Sequence, residues 1–189
     1  MKLKELLPDY LGKVSDDKLN SVSLNSQEIS KGDLYISIAK DVSLQKKYCQ
    51  EALKNGASFV LTNNLSIENL PKKIIFVKNL EKKLGLLSNK IYENPSKKIT
   101  VFGITGTNGK SSVSNFYYQI LKLNNKKVAS IGTLGVKSNG INFDLSNTTI
   151  DPINLGKILD KLKKRGVQNV IMEASSHGLE QNRLDGLLF

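Results

Sequence analysis

Two rhythms of apolar and polar residues run along the chain, and they predict where strands and helices lie. Short β-rich or apolar runs read as strands, and apolar residues three and four apart read as one face of a helix. In the first half, "DLYISIA" (33–39) follows the turn residues Lys31-Gly32, and "ASFVLT" (57–62) and "KIIFV" (73–77) are short buried-strand patterns. Between them, "KKYCQEALKNG" (46–56) places Tyr48, Cys49, Ala52 and Leu53 on one face, with Asn55-Gly56 as a stop signal. "NLEKKLGLLSNKIY" (79–92) aligns Leu80, Leu84, Leu87 and Ile91, with Asn79 in the N-cap position.

The second half is more sharply punctuated. "KITVFGIT" (98–105) is a continuous apolar strand of the kind expected in a parallel sheet covered on both faces. "SSVSNFYYQILKL" (111–123) carries Val113, Phe116, Tyr117, Ile120 and Leu121 at helical spacing, and "KKVASIGT" (126–133) reads as a second strand. "DPINLGKILDKLKKRG" (151–166) has Asp151 to cap, Pro152 in the first turn, Gly166 to terminate, and Leu155, Ile158, Leu159 and Leu162 towards the core. "VQNVIMEA" (167–174) is a third strand. This alternation predicts an α/β protein with right-handed crossovers. A polar Asn-Pro seam, "ENPSKKIT" (93–100), divides it into residues 1–95 and 96–189.

Between the apolar strand and the amphipathic helix lies "TGTNGKSS" (105–112). It departs from the usual G-x-x-x-x-G-K-[ST] loop, because the position of the first Gly holds Ile104. Asn108-Gly109 is also a good turn pair. A turn alone, however, does not need Lys-Ser next, nor a strand before and a helix after. Gly106 and Gly109 let the backbone approach phosphate oxygens, and the helix start offers free N–H groups. Lys110 can place a charge on phosphates, and Ser111 a hydroxyl on Mg²⁺. A metal also needs an acid at the end of a neighbouring strand. Glu173 ends "NVIME", where a carboxylate is costly unless paired or metal-bound.

Composition narrows the setting. The net charge is +11 in 189 residues, which raises nucleic-acid binding. Only Arg165 and Arg183 are arginines, however, and the lysines are scattered, so a solvated surface or a modest attraction for anionic ligands is the simpler reading. One cysteine, Cys49, allows no internal disulfide. No apolar run approaches the ~18 residues of a membrane span. The N-terminus lacks a signal-like apolar region. A cytoplasmic monomer with neither membrane nor nucleic-acid partners is expected.

"GITGTNGKSS" resembles the Mur ligase superfamily, whose T-G-T-N-G-K-[ST] loop accounts for the misfit at Ile104. "NTTIDP" (147–152), "MEASSHGLEQNRLDGLLF" (172–189) and "SLNSQEISKGDLYISI" (23–38) resemble the branch that adds the third amino acid to the peptidoglycan precursor. The resemblance implies a small α/β uridine-binding domain followed by part of a P-loop-type parallel-sheet ATP-binding domain. It also implies ligation through an acyl phosphate, joining a UDP-N-acetylmuramoyl dipeptide to diaminopimelate or lysine. Gly106, Thr107, Asn108, Gly109, Lys110, Ser111 and Ser112 would hold ATP, with Ser111 and Glu173 on Mg²⁺. Lys110 and Glu173 carry the catalytic roles. Asn147, Thr148, Thr149, Ser175, Gln181 and Arg183 match positions on the UDP-sugar-peptide, and Leu24 and Ser26 positions at the uracil end.

Two departures stand out. The family has a Gly-rich turn with Asp-Gly where this chain reads "AKDVSLQKKY" (39–48), and its members run well beyond a position equivalent to Phe189. The chain alone is therefore expected to be an inactive N-terminal part. Other readings stay open: a folylpolyglutamate-synthetase-like ligase, or a nucleotide-binding regulator. His177, the only histidine, lacks a nucleophile pattern and is expected to support the site from behind its contact residues or to pack.

Overall fold

The computed structural model describes residues 2–8, 18–67, 73–138, 141–143 and 150–189. The chain divides into two compact units, residues 1–87 and 88–189. The first contains α1 (Leu3–Leu6), β1 (Val22–Ser23), β2 (Leu34–Ser37), α2 (Val42–Lys54), β3 (Phe59–Thr62) and β4 (Ile74–Phe76). Its four strands pair in parallel in the order β1-β2-β3-β4. Tyr35, Cys49, Ala52, Val60 and Ile67 form a core between sheet and helix.

Helix α2 starts four residues before the stretch its apolar spacing picked out. Asp41 caps it by accepting from the Leu44 N–H at 3.0 Å. Gln45 in the next turn is fully buried, and its Nε2 donates to Ser37 O (2.9 Å), Thr62 Oγ1 (3.1 Å) and Asn63 Oδ1 (2.8 Å). One polar side chain thus ties the helix start to the ends of β2 and β3, and polarity hid it from a search for apolar faces.

Helix α3 (Leu80–Ile91) contains the boundary between the units, which falls at 87/88 and not at the polar seam after it. The reason is the packing of its last turn. Ser88, like Tyr92 just beyond the helix, lies so close to Gly156 that a Cβ there would meet Ser88 Oγ at 2.1 Å. Asn79, placed as a cap by its sequence position, has left-handed backbone (φ 55°), so it lacks the extended geometry of an N-cap.

The second unit continues with β5 (Thr100–Ile104), α4 (Lys110–Leu123), β6 (Val128–Gly132), β7 (Gly135–Ser138), β8 (Ile141–Phe143), α5 (Pro152–Lys164), β9 (Asn169–Glu173) and α6 (Ser176–Glu180). Its sheet runs β5-β9-β6-β7-β8. The three strands read from the sequence are parallel, with β9 between β5 and β6. A hairpin, β6-β7, and the following β8 extend the sheet antiparallel. Alternation along β9 feeds both faces: Val170 and Met172 pack with Leu155, Leu159 and Leu162 of α5, while Ile171 packs with Tyr118 of α4. Asp151 caps α5, accepting from the N–H groups of Ile153 (2.9 Å) and Asn154 (3.0 Å).

Two expectations about this sheet are corrected. Strand β5 is at an edge and its cover is only partial: Val101 is buried on the α5 side, while Phe102 and Ile104 are half-buried against α4. Helix α4 presents Ser114, Tyr117, Tyr118 and Leu121 to the sheet, leaving Val113, Phe116 and Ile120 at least half exposed. The apolar stripe is broad, and its spacing fits either half; the tyrosines won because Phe102 takes Tyr117 edge-on, with ring centroids 5.0 Å apart.

These assignments separate two substitutions. Leu159→Ala should cost about 2–5 kcal/mol as a cavity in a fully buried site, and Phe116→Ala less than about 0.5 kcal/mol. Native-state hydrogen exchange of the β9 amides reads both, and a large loss from Phe116→Ala would contradict the orientation of α4.

Candidate nucleotide-binding site

Strand β5 ends at Ile104, and residues 105–109 form an exposed loop leading directly into α4. Gly109 occupies the helix N-cap with left-handed backbone (φ 79°) and has no side chain with which to cap the helix. A Cβ at Gly109 would meet nothing within 4 Å, so conformation, not crowding, calls for glycine there. The first turn of α4 therefore offers backbone N–H groups and the positive end of the helix dipole to the space above the loop. The Lys110 ammonium folds over the same loop, donating to Gly106 O (2.7 Å) and Thr107 O (3.2 Å). Positive charge and donors thus converge on one point, as binding of a polyanion requires.

Register places the acid. Pairing of β5 with β9 sets Ile104 beside Glu173, one strand over from the loop. Ser111, in the first turn of α4, donates its hydroxyl to Glu173 Oε2 at 3.0 Å. On the other side, Thr133 donates its backbone N–H to Oε1 (3.3 Å) and its hydroxyl to Oε2 (3.2 Å). A hydroxyl and a carboxylate side by side are hard oxygen donors that suit Mg²⁺, which commonly takes one or two protein oxygens and completes its shell with water and phosphate. Among the described residues no group of three His, Cys, Asp or Glu gathers to hold a metal.

Next to the loop opens a cavity of about 150 Å³, with Lys110, Thr133, Glu173, Ser175 and Arg183 among its polar lining and Ile131, Leu155 and Met172 among its apolar lining. Ser175 caps α6, its hydroxyl accepting from the Gly178 N–H at 3.1 Å. Arg183 reaches Gln181 through Nη2–H donation to Oε1. His177 is exposed on α6, which excludes the packing role but leaves it beside the Ser175 cap.

Leu24 and Ser26 are in the first unit. Ser26 is buried, donating its hydroxyl to Glu51 Oε2 at 2.5 Å, and its carbonyl accepts from Asn55 Nδ2 at 3.0 Å. Asn147, Thr148 and Thr149 lie outside the described residues. Gly132 and Thr133 were legible only as the end of a strand, with no role at the site. Their signal was "GTLG" (132–135), a Gly-flanked pair closing a hairpin.

A parallel strand, glycine loop and helix facing an acid on the neighbouring strand define an α/β domain of P-loop type. Residues 104–189 match the Mur ligase middle domain. Over 98% of its length the chain is 40% identical to UDP-N-acetylmuramoyl-L-alanyl-D-glutamate--2,6-diaminopimelate ligase of Wigglesworthia glossinidia brevipalpis, spanning 39% of that relative. A solved structure of a ligase of that name superposes with a TM-score of 0.83 at 24% identity, over 98% of this chain and 38% of that one. The MurF ligase of Thermotoga maritima, solved with ADP, gives 0.56 at 23% identity over 86% and 34%. The chain belongs to the Mur ligase family, and it spans about two fifths of the length of such relatives.

The loop geometry carries its own test. Gly109→Ala should destabilise the second unit by about 1–2 kcal/mol, the strain of left-handed backbone for an L side chain, and Gly109→Asn by less. An alanine variant with wild-type denaturation midpoint would show that φ is not fixed there.

Proposed function

We propose that this chain contributes the nucleotide site and the UDP-substrate-binding region of an ATP-dependent ligase of peptidoglycan synthesis. The reaction adds 2,6-diaminopimelate to UDP-N-acetylmuramoyl-L-alanyl-D-glutamate. The observation that carries the reading is the convergence of Lys110, Ser111 and Glu173 at one loop mouth. The names of the relatives support the substrate and favour diaminopimelate over lysine, and a structural neighbour solved with ADP supports the nucleotide.

In this reading, residues 106–112 cradle the triphosphate. The N–H groups of α4 and the Lys110 ammonium offset its charge. Ser111 and Glu173 hold Mg²⁺, which when bound neutralises phosphate oxygens further. The substrate carboxylate takes the γ-phosphoryl group, forming an acyl phosphate and ADP. The incoming amine then displaces phosphate. Converging anions make this mainly an electrostatic problem. Arg183, aided by Gln181 and Ser175, neutralises the UDP-sugar-peptide at the cavity, and Asn147, Thr148 and Thr149 serve the same substrate. Leu24 and Ser26 serve the uridine end; Ser26 would do so through its backbone, since Glu51 occupies its hydroxyl. A cytoplasmic monomer fits this role.

ATP with Mg²⁺ should bind the 189-residue chain, and Lys110→Ala should weaken binding by about 10- to 150-fold, the loss of a charged contact of about 1.5–3 kcal/mol. Unchanged affinity in the folded variant would refute the phosphate role. In a polypeptide carrying this chain at the length of its relatives, phosphate release should require both the UDP-linked dipeptide and diaminopimelate. Arg183→Ala should there lower kcat/KM by about 2–4 kcal/mol equivalent. Phosphate release indifferent to either substrate would contradict the reaction.

A further inference from the structure

The hairpin between β6 and β7 does more than extend the sheet. Its two-residue turn, Thr133-Leu134, stands between Gly132 and Gly135, which pair across the strands. That turn holds Thr133 against the Glu173 carboxylate, to which it gives a backbone and a hydroxyl donor. Gly132 provides the seat. A Cβ built on it would meet Glu173 Oε1 at 2.1 Å and the carboxyl carbon at 2.6 Å, so the carboxylate lies directly over the glycine backbone.

We infer that Gly132 and Thr133 are positioning residues that fix the Glu173 carboxylate for a divalent cation beside Ser111. This rests on the nucleotide reading above and extends it to residues outside the loop. The physical argument is one of orientation. Glu173 has three side-chain torsions, and among the described residues its hydrogen-bond partners are Ser111, from the loop side, and Thr133. Ser111 and Thr133 meet the same oxygen, Oε2, while the Thr133 N–H takes Oε1. The carboxylate is thereby held at both oxygens before any cation arrives. Three donors on about four lone-pair sites leave one, on Oε1, free to coordinate. Partners of this kind, one step removed from a metal, set the direction and basicity of a ligand, and losing them costs about 10–100-fold in metal affinity.

Gly132 acts differently from Thr133. The atoms that an added methyl would strike are the far end of a flexible side chain. Gly132→Ala should therefore push the carboxylate away and leave the strand in place. Thr133→Val keeps the shape and the backbone donor but removes the hydroxyl. Thr133→Ser keeps the hydroxyl.

The test is calorimetric titration of ATP into the full 189-residue chain, with Mg²⁺ and separately with EDTA. The quantity read is the ratio of the two affinities. Thr133→Val and Gly132→Ala should cut that ratio by about 10–100-fold, and Thr133→Ser should restore most of it. Lys110→Ala should lower both affinities, since it acts on phosphate and not on the cation. A wild-type ratio in Thr133→Val, or a serine variant as impaired as valine, would overturn the inference while leaving the nucleotide site standing. Wild-type protein that binds no ATP under either condition would remove the nucleotide reading and the inference with it.

Discussion

A carboxylate at the end of a central strand is the constraint around which the second unit is built. Glu173 follows four residues of β9, of which Val170, Ile171 and Met172 are essentially buried. A charge there must be compensated, because taking an ionised group out of water without partners is expensive. Three donors answer it. One comes from α4, placed by the loop after β5, and two come from the hairpin turn after β6. The order β5-β9-β6 makes this possible: β9 lies between the two strands whose C-terminal ends supply the partners. Ligands of open α/β sheets lie beyond these strand ends, and here the crossovers bring loop, acid and turn to that edge.

The two sides of the acid differ in character. On the loop side, donors are shared with any anion that enters, since Lys110 and the start of α4 face the same space. On the hairpin side, Thr133 has no other side-chain partner among the described residues, and its contacts are set by a short turn between paired strands. One side is suited to exchange its contacts, and the other to keep them. In the proposed reading, that asymmetry would let a cation site be prepared without a cluster of acids, with phosphate oxygens as the missing ligands. The cavity between Lys110, Glu173 and Arg183 opens where a second anion would meet the first.

Much of this was legible in the residues. The strand, loop and helix from 98 to 123, the capped helix after Asp151, and the acid at the end of "NVIME" follow from apolar spacing and turn chemistry. Illegible were features in which polarity or glycine does the structural work. Gln45 is polar and yet fully buried, because three acceptors converge on its amide nitrogen. Gly132 and Thr133 looked like the end of a strand, and only a neighbouring chain segment gives them a role. The wide apolar face of α4 fitted two orientations, and the aromatic contact of Phe102 with Tyr117 decided between them. The unit boundary was hidden for a similar reason: the end of α3 is drawn to Gly156 by contacts no local pattern encodes.

Amide hydrogen exchange with and without ATP–Mg²⁺ tests the central claim most directly. Anion capture by the loop, with the acid held from the hairpin, predicts slowed exchange at residues 106–113 and at Thr133. The β2 and β3 amides should be unchanged. Protection confined to the first unit, or no change at the loop and turn under saturating nucleotide, would contradict it.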